Sequence, residues 1–424
     1  CYGVQHTYAK AGTYTATSVE TDLGGRTGRA STKVVVGPVF VPVAHTRILN
    51  TSTGLGATKA PVHAGQVVHL KVNGVGGVSK ATSVLLNVTA MLETAGGAIT
   101  VYPSGAKRPA APNLYYRSGH SGSNLVSVPL GPDGAVNLYN SAGSVDLYAD
   151  VQGYNTLTPG AAVGTVLMND AAVWGDFRPV MDTTGAQRLP KLGKVGAGKS
   201  ITFTALPDIG NYGNAEYAAT AVVLDVTATH ATAGSYVTAY APGSKVPTTY
   251  DLNFAAGETR SATIVVPVDS KSRVSLYNHA GSVDLSASME GFYLPFVSAD
   301  PVNSPIITTT PARVLDTRTG TGAAKKPLPA NSRIRFKAAG VAGIPAGATG
   351  VWLNLTAVGP TASGSLTVYG DRAGTDPSVP ALTFLRGQTT SVLLYLPLSY
   401  GYVHLYNPYG SVNVLAEVWA YSVN

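Results

Sequence analysis

Leu138-Tyr139-Asn140-Ser141-Ala142-Gly143-Ser144-Val145 is written three times in this chain, with small changes. It returns as Leu276-Tyr277-Asn278-His279-Ala280-Gly281-Ser282-Val283 and as Leu405-Tyr406-Asn407-Pro408-Tyr409-Gly410-Ser411-Val412. The tyrosines are 138 (277 − 139) and 129 (406 − 277) residues apart. That spacing is too long for a solenoid repeat and right for a small domain. The chain therefore reads as one module used three times. Chemistry that belongs to the module must recur in every copy; chemistry in a single copy is incidental to it.

Composition decides the fold class of that module. Of 424 residues, 45% are apolar, which excludes a disordered chain. Only 12% are charged, about half the usual share, so good helix formers are scarce. Gly (48), Pro (27) and Tyr (23) are abundant, and short Val/Thr/Tyr-rich runs alternate with Gly, Pro and Asn turns. This is an all-β signature. In the first module the runs predict strands at 67–72, 84–90, 98–102, 113–116, 125–129, 135–139 and 145–151. Val84, Leu86, Val88 and Ala90 alternate with Asn87 and Thr89, which predicts a half-buried strand with one polar face.

Seven or eight such strands per module argue for a β-sandwich, jelly-roll or immunoglobulin-like. Without amphipathic helices between strands, a parallel α/β layout is excluded. The boundaries fall at 1–38, 39–155, 156–297 and 298–424. The second module has an insertion-rich front containing Trp174 and Phe177. Short proline-containing connections at 155–160 and 300–305 predict a semi-rigid rod of modules.

The net charge of +7 does not describe a nucleic-acid binder, because the basic residues are scattered. Their longest clusters are Lys107-Arg108 and Lys325-Lys326. Mild positive charge instead suits non-specific contact with anionic wall polymers. Cys1 is the single cysteine, so neither an internal disulfide nor a cysteine zinc site can form. Its surroundings read as the middle of a domain rather than a lipoprotein tether. No run of 18 apolar residues is present, so no membrane-spanning helix is expected. With no signal peptide and no initial Met, the chain reads as a mature or trimmed product.

Residues 1–38 read as a short β unit. Strands are expected from Tyr14 to Glu20 and from Ala30 to Val36, with Asp22-Leu23-Gly24-Gly25 as a tight hairpin turn. The stretch His6-Thr7-Tyr8-Ala9-Lys10-Ala11-Gly12-Thr13-Tyr14, continued by Thr21-Asp22, resembles the C-terminal half of a PKD domain, a small immunoglobulin-like sandwich. Ser18 and Glu20 depart from that pattern, standing where buried apolar residues belong. Two or three strands cannot close a sandwich. The missing half is expected upstream or from another molecule.

The third module opens with Ala312-Arg313-Val314-Leu315-Asp316-Thr317-Arg318-Thr319-Gly320. Together with Leu353-Asn354-Leu355-Thr356-Ala357, Leu366-Thr367-Val368-Tyr369 and the repeated Tyr-Asn loop, it resembles a repeat module of secreted actinobacterial proteins. Those modules typically begin Arg-Leu-Leu-Asp-Thr-Arg and accompany PKD domains, peptidases or wall amidases. The resemblance covers nearly all of 39–424 and implies secretion and a surface role, but no activity of the module itself.

Comparison of the copies removes most candidate chemistry. Asp316 with Arg313 and Arg318 is the first candidate. The first copy reads Thr46-Arg47-Ile48-Leu49-Asn50-Thr51-Ser52, and the second Arg178-Pro179-Val180-Met181-Asp182-Thr183-Thr184. Asn50 cannot ionise, so no shared acid–base mechanism survives. Asp316 is expected to bond backbone N–H groups of its turn. Asn87, Asp225 and Asn354 recur beside a Thr and read as a polar ladder tying neighbouring loops. Asn87-Val88-Thr89 and Asn354-Leu355-Thr356 are glycosylation sequons, expected unmodified in a bacterial product.

Asp150, Ser288 and Glu417 align and offer oxygens to calcium, but Ser288 breaks the acidic series. The eight histidines (His6, His45, His63, His69, His120, His230, His279 and His404) show no zinc spacing. Gly119-His120-Ser121-Gly122-Ser123 has Ser where a nucleophile elbow needs Gly, and reads as a loop. The remaining assets are the repeat loop, with Tyr139, Asn140, Tyr277, Asn278, Tyr406 and Asn407, and the tyrosines at 102, 115, 116, 148, 240 and 369. A single tyrosine is ordinary strand filling; a row on one exposed face is a sugar-binding pattern.

The expectation is a secreted, non-catalytic structural or adhesive protein of the cell surface, needing no cofactor or metal. Its incomplete N-terminal unit suggests a fibre subunit that shares strands with another copy or another surface protein. The alternative is an array of glycan- or wall-binding modules acting by avidity.

Overall fold

The computed structural model describes residues 12–157, 165–169, 178–186, 189–206, 219–295, 305–370, 380–398 and 400–423. Cys1, the His6–Ala11 part of the PKD-like stretch, Trp174, Phe177 and much of both connections lie outside the described residues.

An N-terminal hairpin comes first: β1 (Gly12–Thr21) and β2 (Thr27–Val36) pair antiparallel from Gly12↔Val36 to Thr21↔Thr27. Asp22 makes the turn, its Oδ1 accepting from Gly24 N and Arg26 N, each at 2.9 Å.

The first sandwich contains β3 (Val39–Asn50), β4 (Val62–His63), β5 (Val67–Lys71), β6 (Ala81–Met91), β7 (Gly97–Pro103), β8 (Leu114–Tyr116), β9 (Gly122–Pro129), β10 (Ala135–Asn140) and β11 (Ser144–Thr156). The second contains β12 (Thr165–Asn169), β13 (Arg178–Asp182), β14 (Lys199–Thr204), β15 (Ala221–Thr229), β16 (Ser235–Tyr240), β17 (Leu252–Phe254), β18 (Arg260–Pro267), β19 (Arg273–Asn278) and β20 (Asp284–Pro295). The third contains β21 (Ile306–Asp316), β22 (Ser332–Lys337), β23 (Ala348–Val358), β24 (Gly364–Gly370), β25 (Leu382–Phe384), β26 (Thr390–Pro397), β27 (Tyr402–Asn407) and β28 (Asn413–Val423).

Each sandwich repeats one topology. An inner sheet (β3-β11-β6-β9, β13-β20-β15-β18, β21-β28-β23-β26) faces an outer sheet (β5-β10-β7-β8, β14-β19-β16-β17, β22-β27-β24-β25). With the eight strands common to the copies counted along the chain, β4 and β12 being additional, the first, eighth, third and sixth lie opposite the second, seventh, fourth and fifth. This is the jelly roll. Each encloses its own apolar core, with Val84, Leu86, Val88 and Ala90 facing inward in the first.

The expected half-buried strand is corrected by the structure. Asn87 and Thr89 are as buried as their inward-facing neighbours. The reason is a fourth core, made where the three inner sheets meet. It joins Phe40, Leu85 and Leu125 of the first copy, Ala221, Val223, Val265 and Tyr293 of the second, and Ile306, Trp352, Leu393, Tyr395, Trp419 and Ala420 of the third. Phe40 stacks on Tyr293 at 4.2 Å between ring centroids. Gly153 permits this, because a Cβ there would sit 2.0 Å from the Phe40 ring.

The rod is corrected for the same reason. Burying Trp or Phe in such a core contributes about 2–3 kcal/mol per side chain, more than a short linker can resist. The copies close into a ring, each inner sheet receiving the short fifth strand of another copy. Tyr250, before β17, donates its N–H to Asp150 of the first copy at 3.0 Å. Thr383 of β25 donates to the Thr259 carbonyl of the second copy at 3.3 Å. Ser391 of the third copy donates to the Asn113 carbonyl, before β8, at 2.9 Å. Around such a ring the contacts are head-to-tail and closed.

Candidate functional site

The repeated loop is a fold-holding device. Asn140, Asn278 and Asn407 are wholly buried. Each side-chain amide donates across to the segment before the second strand: to the carbonyls of Val62 (2.8 Å), Val195 (2.9 Å) and Leu328 (3.0 Å). Each donates again to the carbonyl of the following glycine, Gly143, Gly281 or Gly410. Those glycines have φ of 56°, 60° and 58°, and an added Cβ would meet Ala95, Ala233 or Ala362 under 3.0 Å away. The next serine N–H donates to Thr94, Thr232 or Thr361. Every element of Tyr-Asn-x-x-Gly-Ser except the tyrosine is thus consumed inside the module.

The opening motif is likewise internal. Asn50, Asp182 and Asp316 each accept the N–H two residues on, at 3.0, 2.8 and 3.0 Å. The following Thr51, Thr183 and Thr317 accept the backbone N–H of Leu147, Leu285 and Val414. Asp316 also receives Arg318 Nη2 at 2.8 Å and Arg313 Nη1 at 2.6 Å. Hydrogen bonds from Arg318, partly opposed by burial, hold the Asp316 carboxyl below its usual range.

Asp150 and Glu417, weighed as calcium ligands, are instead met by arginines. Arg47 grips Asp150 through Nε (2.8 Å) and Nη2 (2.9 Å), and its guanidinium lies 4.0 Å from the Tyr250 ring centroid. Arg313 Nε lies 2.5 Å from Glu417 Oε1. Burial still pushes Glu417 up to about 7 against that arginine. Ser288 has no such arginine, since Pro179 stands across from it. Among the described residues no group of three or more His, Cys, Asp or Glu is placed to hold a metal.

One polar network was not anticipated from sequence. His45 is buried between the first and second copies, Nδ1 at 3.0 Å from Asp251 Oδ2 and Nε2 at 2.8 Å from the Val265 carbonyl. Gln152 donates to Asp251 Oδ1 (3.1 Å) and accepts from Val265 N (2.8 Å). Both partners of the imidazole are acceptors, so the pair holds an extra proton. Burial works to lower the His45 pKa, but Asp251 and the Val265 carbonyl outweigh it and hold it above the ordinary histidine value. Asp251 has a counterpart in Asn113 of the first copy, each accepting a backbone N–H of the neighbouring strand at 2.7 Å, whereas His45 stands where the third copy has Pro311.

Two surfaces are left for partners. The outer sheets carry a tyrosine pair on one face in every copy: Tyr102 with Tyr139, Tyr240 with Tyr277, and Tyr369 with Tyr406. Tyr102 and Tyr369 are buried, so the half-buried Tyr139, Tyr277 and Tyr406 are what each face offers in common. Arg108 lies 3.6 Å from the Tyr139 ring centroid and Arg333 4.7 Å from that of Tyr406. The hairpin is the second surface: most of its side chains are exposed, including Val19 and Leu23. Neither of its edges pairs with another strand among the described residues.

Single-copy features do not meet the repeat criterion. A cleft of about 390 Å³ in the third copy is lined by Arg313, Arg335, Lys337, Phe336 and Tyr402. Its Arg335 and Tyr402 correspond to His69 and Ala135 in the first copy. His63 lies 2.7 Å from the Ser144 hydroxyl, but no carboxylate among the described residues orients the imidazole. His120 bonds the Ser118 carbonyl in its loop, away from Ser121.

No family model matches the chain, and no curated protein matches it. Among solved structures, the tandem CBM22 domains of Paenibacillus barcinonensis Xyn10C align at 11% identity over 60% of this chain and 98% of that one, with a TM-score of 0.18. The M60 catalytic domain with two CBM51 domains of Clostridium perfringens ZmpB aligns at 10% identity over 99% of this chain and 42% of that one (TM-score 0.17). A triple jelly-roll fold from the turret assembly of an archaeal virus aligns at 11% identity over 97% and 89% (TM-score 0.16). Such low scores carry no functional statement; the all-β jelly-roll fold rests on the strand order.

Proposed function

We propose that the chain is a non-catalytic structural or adhesive protein of the bacterial cell surface, exported and built to link rather than to transform. The observation that carries this reading is the hairpin of β1 and β2. An isolated two-stranded sheet is marginal in water, and an exposed edge is a template for another strand. The occupant we assign is a second copy of this chain, adding strands to complete a PKD-like sandwich and so building a fibre. The fate of the repeated residues supports the same reading: Asn140, Asp316 and their counterparts hold turns and sheets together.

Deleting residues 1–38 tests the linkage. Sedimentation velocity of the intact chain should show polymers growing with concentration, and the deletion should leave a monomer. A monomeric intact chain at high concentration sinks the fibre; polymers that survive the deletion sink strand sharing.

A second reading, glycan or wall-polymer binding, is favoured by the tyrosine pairs repeated on all three outer sheets. Because the inner sheets meet at the shared core, these faces point away from one another. Three sites so arranged would bridge separate polymer chains rather than add avidity along one. Pull-down on purified peptidoglycan and neutral glucans, with the half-buried Tyr139, Tyr277 and Tyr406 replaced by Ala, should lose retention in the triple variant. Equal retention by the triple variant removes the reading.

A further inference from the structure

The three inner faces carry the same trio of positions, and their charges balance in only two. The first copy has Arg47, Asp150 and Asn87; the third has Arg313, Glu417 and Glu417's neighbour on the next strand, Asn354. In both, an arginine meets the acid. In both, the amide donates to a carbonyl of another copy: Asn87 to Tyr250, and Asn354 to Pro112 at 3.4 Å. The second copy has Pro179, Ser288 and Asp225 at these positions. The acid has moved to the amide's place and the arginine is gone.

Asp225 is fully buried, and neither carboxylate oxygen has a hydrogen-bond partner. Ser288 and Thr263 stand opposite it on the flanking strands. Glu290, two residues beyond Ser288, is close enough to raise Asp225's pKa further, after burial, with Thr227 the one opposing influence. Glu290 is itself buried, Oε1 accepting from Thr263 Oγ1 at 3.2 Å and Oε2 from Tyr395 N of the third copy at 3.0 Å. The carbonyl corresponding to those of Tyr250 and Pro112 belongs to Pro380, just before β25. An aspartate cannot donate to it. The seam therefore gathers two carboxylates, hydroxyls and a carbonyl, and among the described residues no cationic side chain is paired with either carboxylate.

We propose that Asp225 and Glu290 hold a calcium ion in the seam between the second and third copies. Two carboxylates match a divalent charge. An all-oxygen donor set selects a hard cation, and calcium accepts irregular, many-ligand geometry where magnesium keeps its waters. Ser288, Thr263 and the Pro380 carbonyl would complete the shell. The ion does for this seam what Arg47 and Arg313 do for the other two.

The test uses the full chain stripped with EDTA and then dialysed against calcium. Mass spectrometry should find about one calcium ion per chain. Added calcium should raise Tm by about 5 °C at saturation. Terbium should luminesce on excitation of the nearby Tyr293, Tyr395 and Trp352. Asp225→Asn restores the amide of the other copies, so it should fold, bind no calcium and sensitise no terbium. Glu290→Gln should weaken calcium binding at least about tenfold. Full calcium binding by Asp225→Asn overturns the proposal. So does a wild-type chain that takes up no calcium and whose Tm falls above pH 8 whether or not calcium is present, since the two carboxyls then keep protons instead.

Discussion

The sandwich cores and the core between them are built differently. Inside the third sandwich the core is almost wholly aliphatic, with Val351, Leu353, Leu355, Leu394 and Val418. The shared core is rich in aromatics, with Phe40, Tyr293, Trp352, Tyr395 and Trp419, and is rimmed by buried polar groups such as His45, Asp251 and Glu290. Aliphatic packing is satisfied by shape and volume, so each jelly roll needs only its own strands. Three large flat sheets meeting face to face need a register. Buried hydrogen bonds from Val265 N to Gln152 and from Tyr395 N to Glu290 supply it, because any slip would strand them in an apolar seam.

Adjacent residues on β23 break the two cores separately. Leu353→Ala should cost about 2–5 kcal/mol and unfold the third sandwich itself. Trp352→Ala should cost about 3–5 kcal/mol but act on the shared core. Far-UV circular dichroism should stay native in Trp352→Ala under mild urea, while limited proteolysis cuts the segments joining the copies. Loss of sheet signal and copy separation at one midpoint in both variants would mean that the two cores are a single cooperative unit.

Much of this fold was legible in sequence and one part was not. The repeat of Tyr139, Tyr277 and Tyr406 marked three copies, and the predicted strands from 67 to 151 match β5 to β11 within a few residues. The first strand, β3, escaped because its interrupted apolar pattern lacks clear alternation. The ring escaped because alternation at Asn87 and Thr89 reads as a wet face. Yet Val84-Leu85-Leu86, Val222-Val223-Leu224 and Val351-Trp352-Leu353 are continuous apolar runs, the mark of a strand buried on both faces. Polar residues in such runs are bonds between copies, and only coordinates say with whom. Among site residues, the turn role of Asp316 follows from its spacing to Gly320, whereas the His45–Asp251 pair joins residues 206 apart and leaves no local trace.

That pair sharpens the comparison through pH. A histidine whose folded pKa is raised stabilises the fold fully below its unfolded value of about 6.5, and the contribution is lost as pH rises through the folded value. Cohesion between copies should therefore weaken from pH 6.5 upward while the aliphatic cores do not respond. His45→Gln leaves Asp251 buried without its imidazole partner and should cost about 3 kcal/mol. Its urea midpoint should also lose the part of the pH slope that lies above 6.5. An unchanged slope would assign the pH response to other groups.

The smallest effect is expected where the copies have already run the experiment. Asp316→Asn turns the third copy's opening motif into that of the first, where Asn50 accepts from Ser52 N at 3.0 Å without any charge. The turn bond to Arg318 N should persist. What is lost is the attraction of two arginines that are themselves partly exposed, worth under about 1 kcal/mol. Because the Asp316 pKa is lowered in the fold, the wild type draws that stability only above its unfolded value near 3.8 and loses it as pH falls through the folded value. The variant should match the wild type in strong acid and fall slightly behind it at neutral pH. A loss of several kcal/mol, or a monomer–polymer balance altered by this change alone, would give Asp316 a role that the first copy does without.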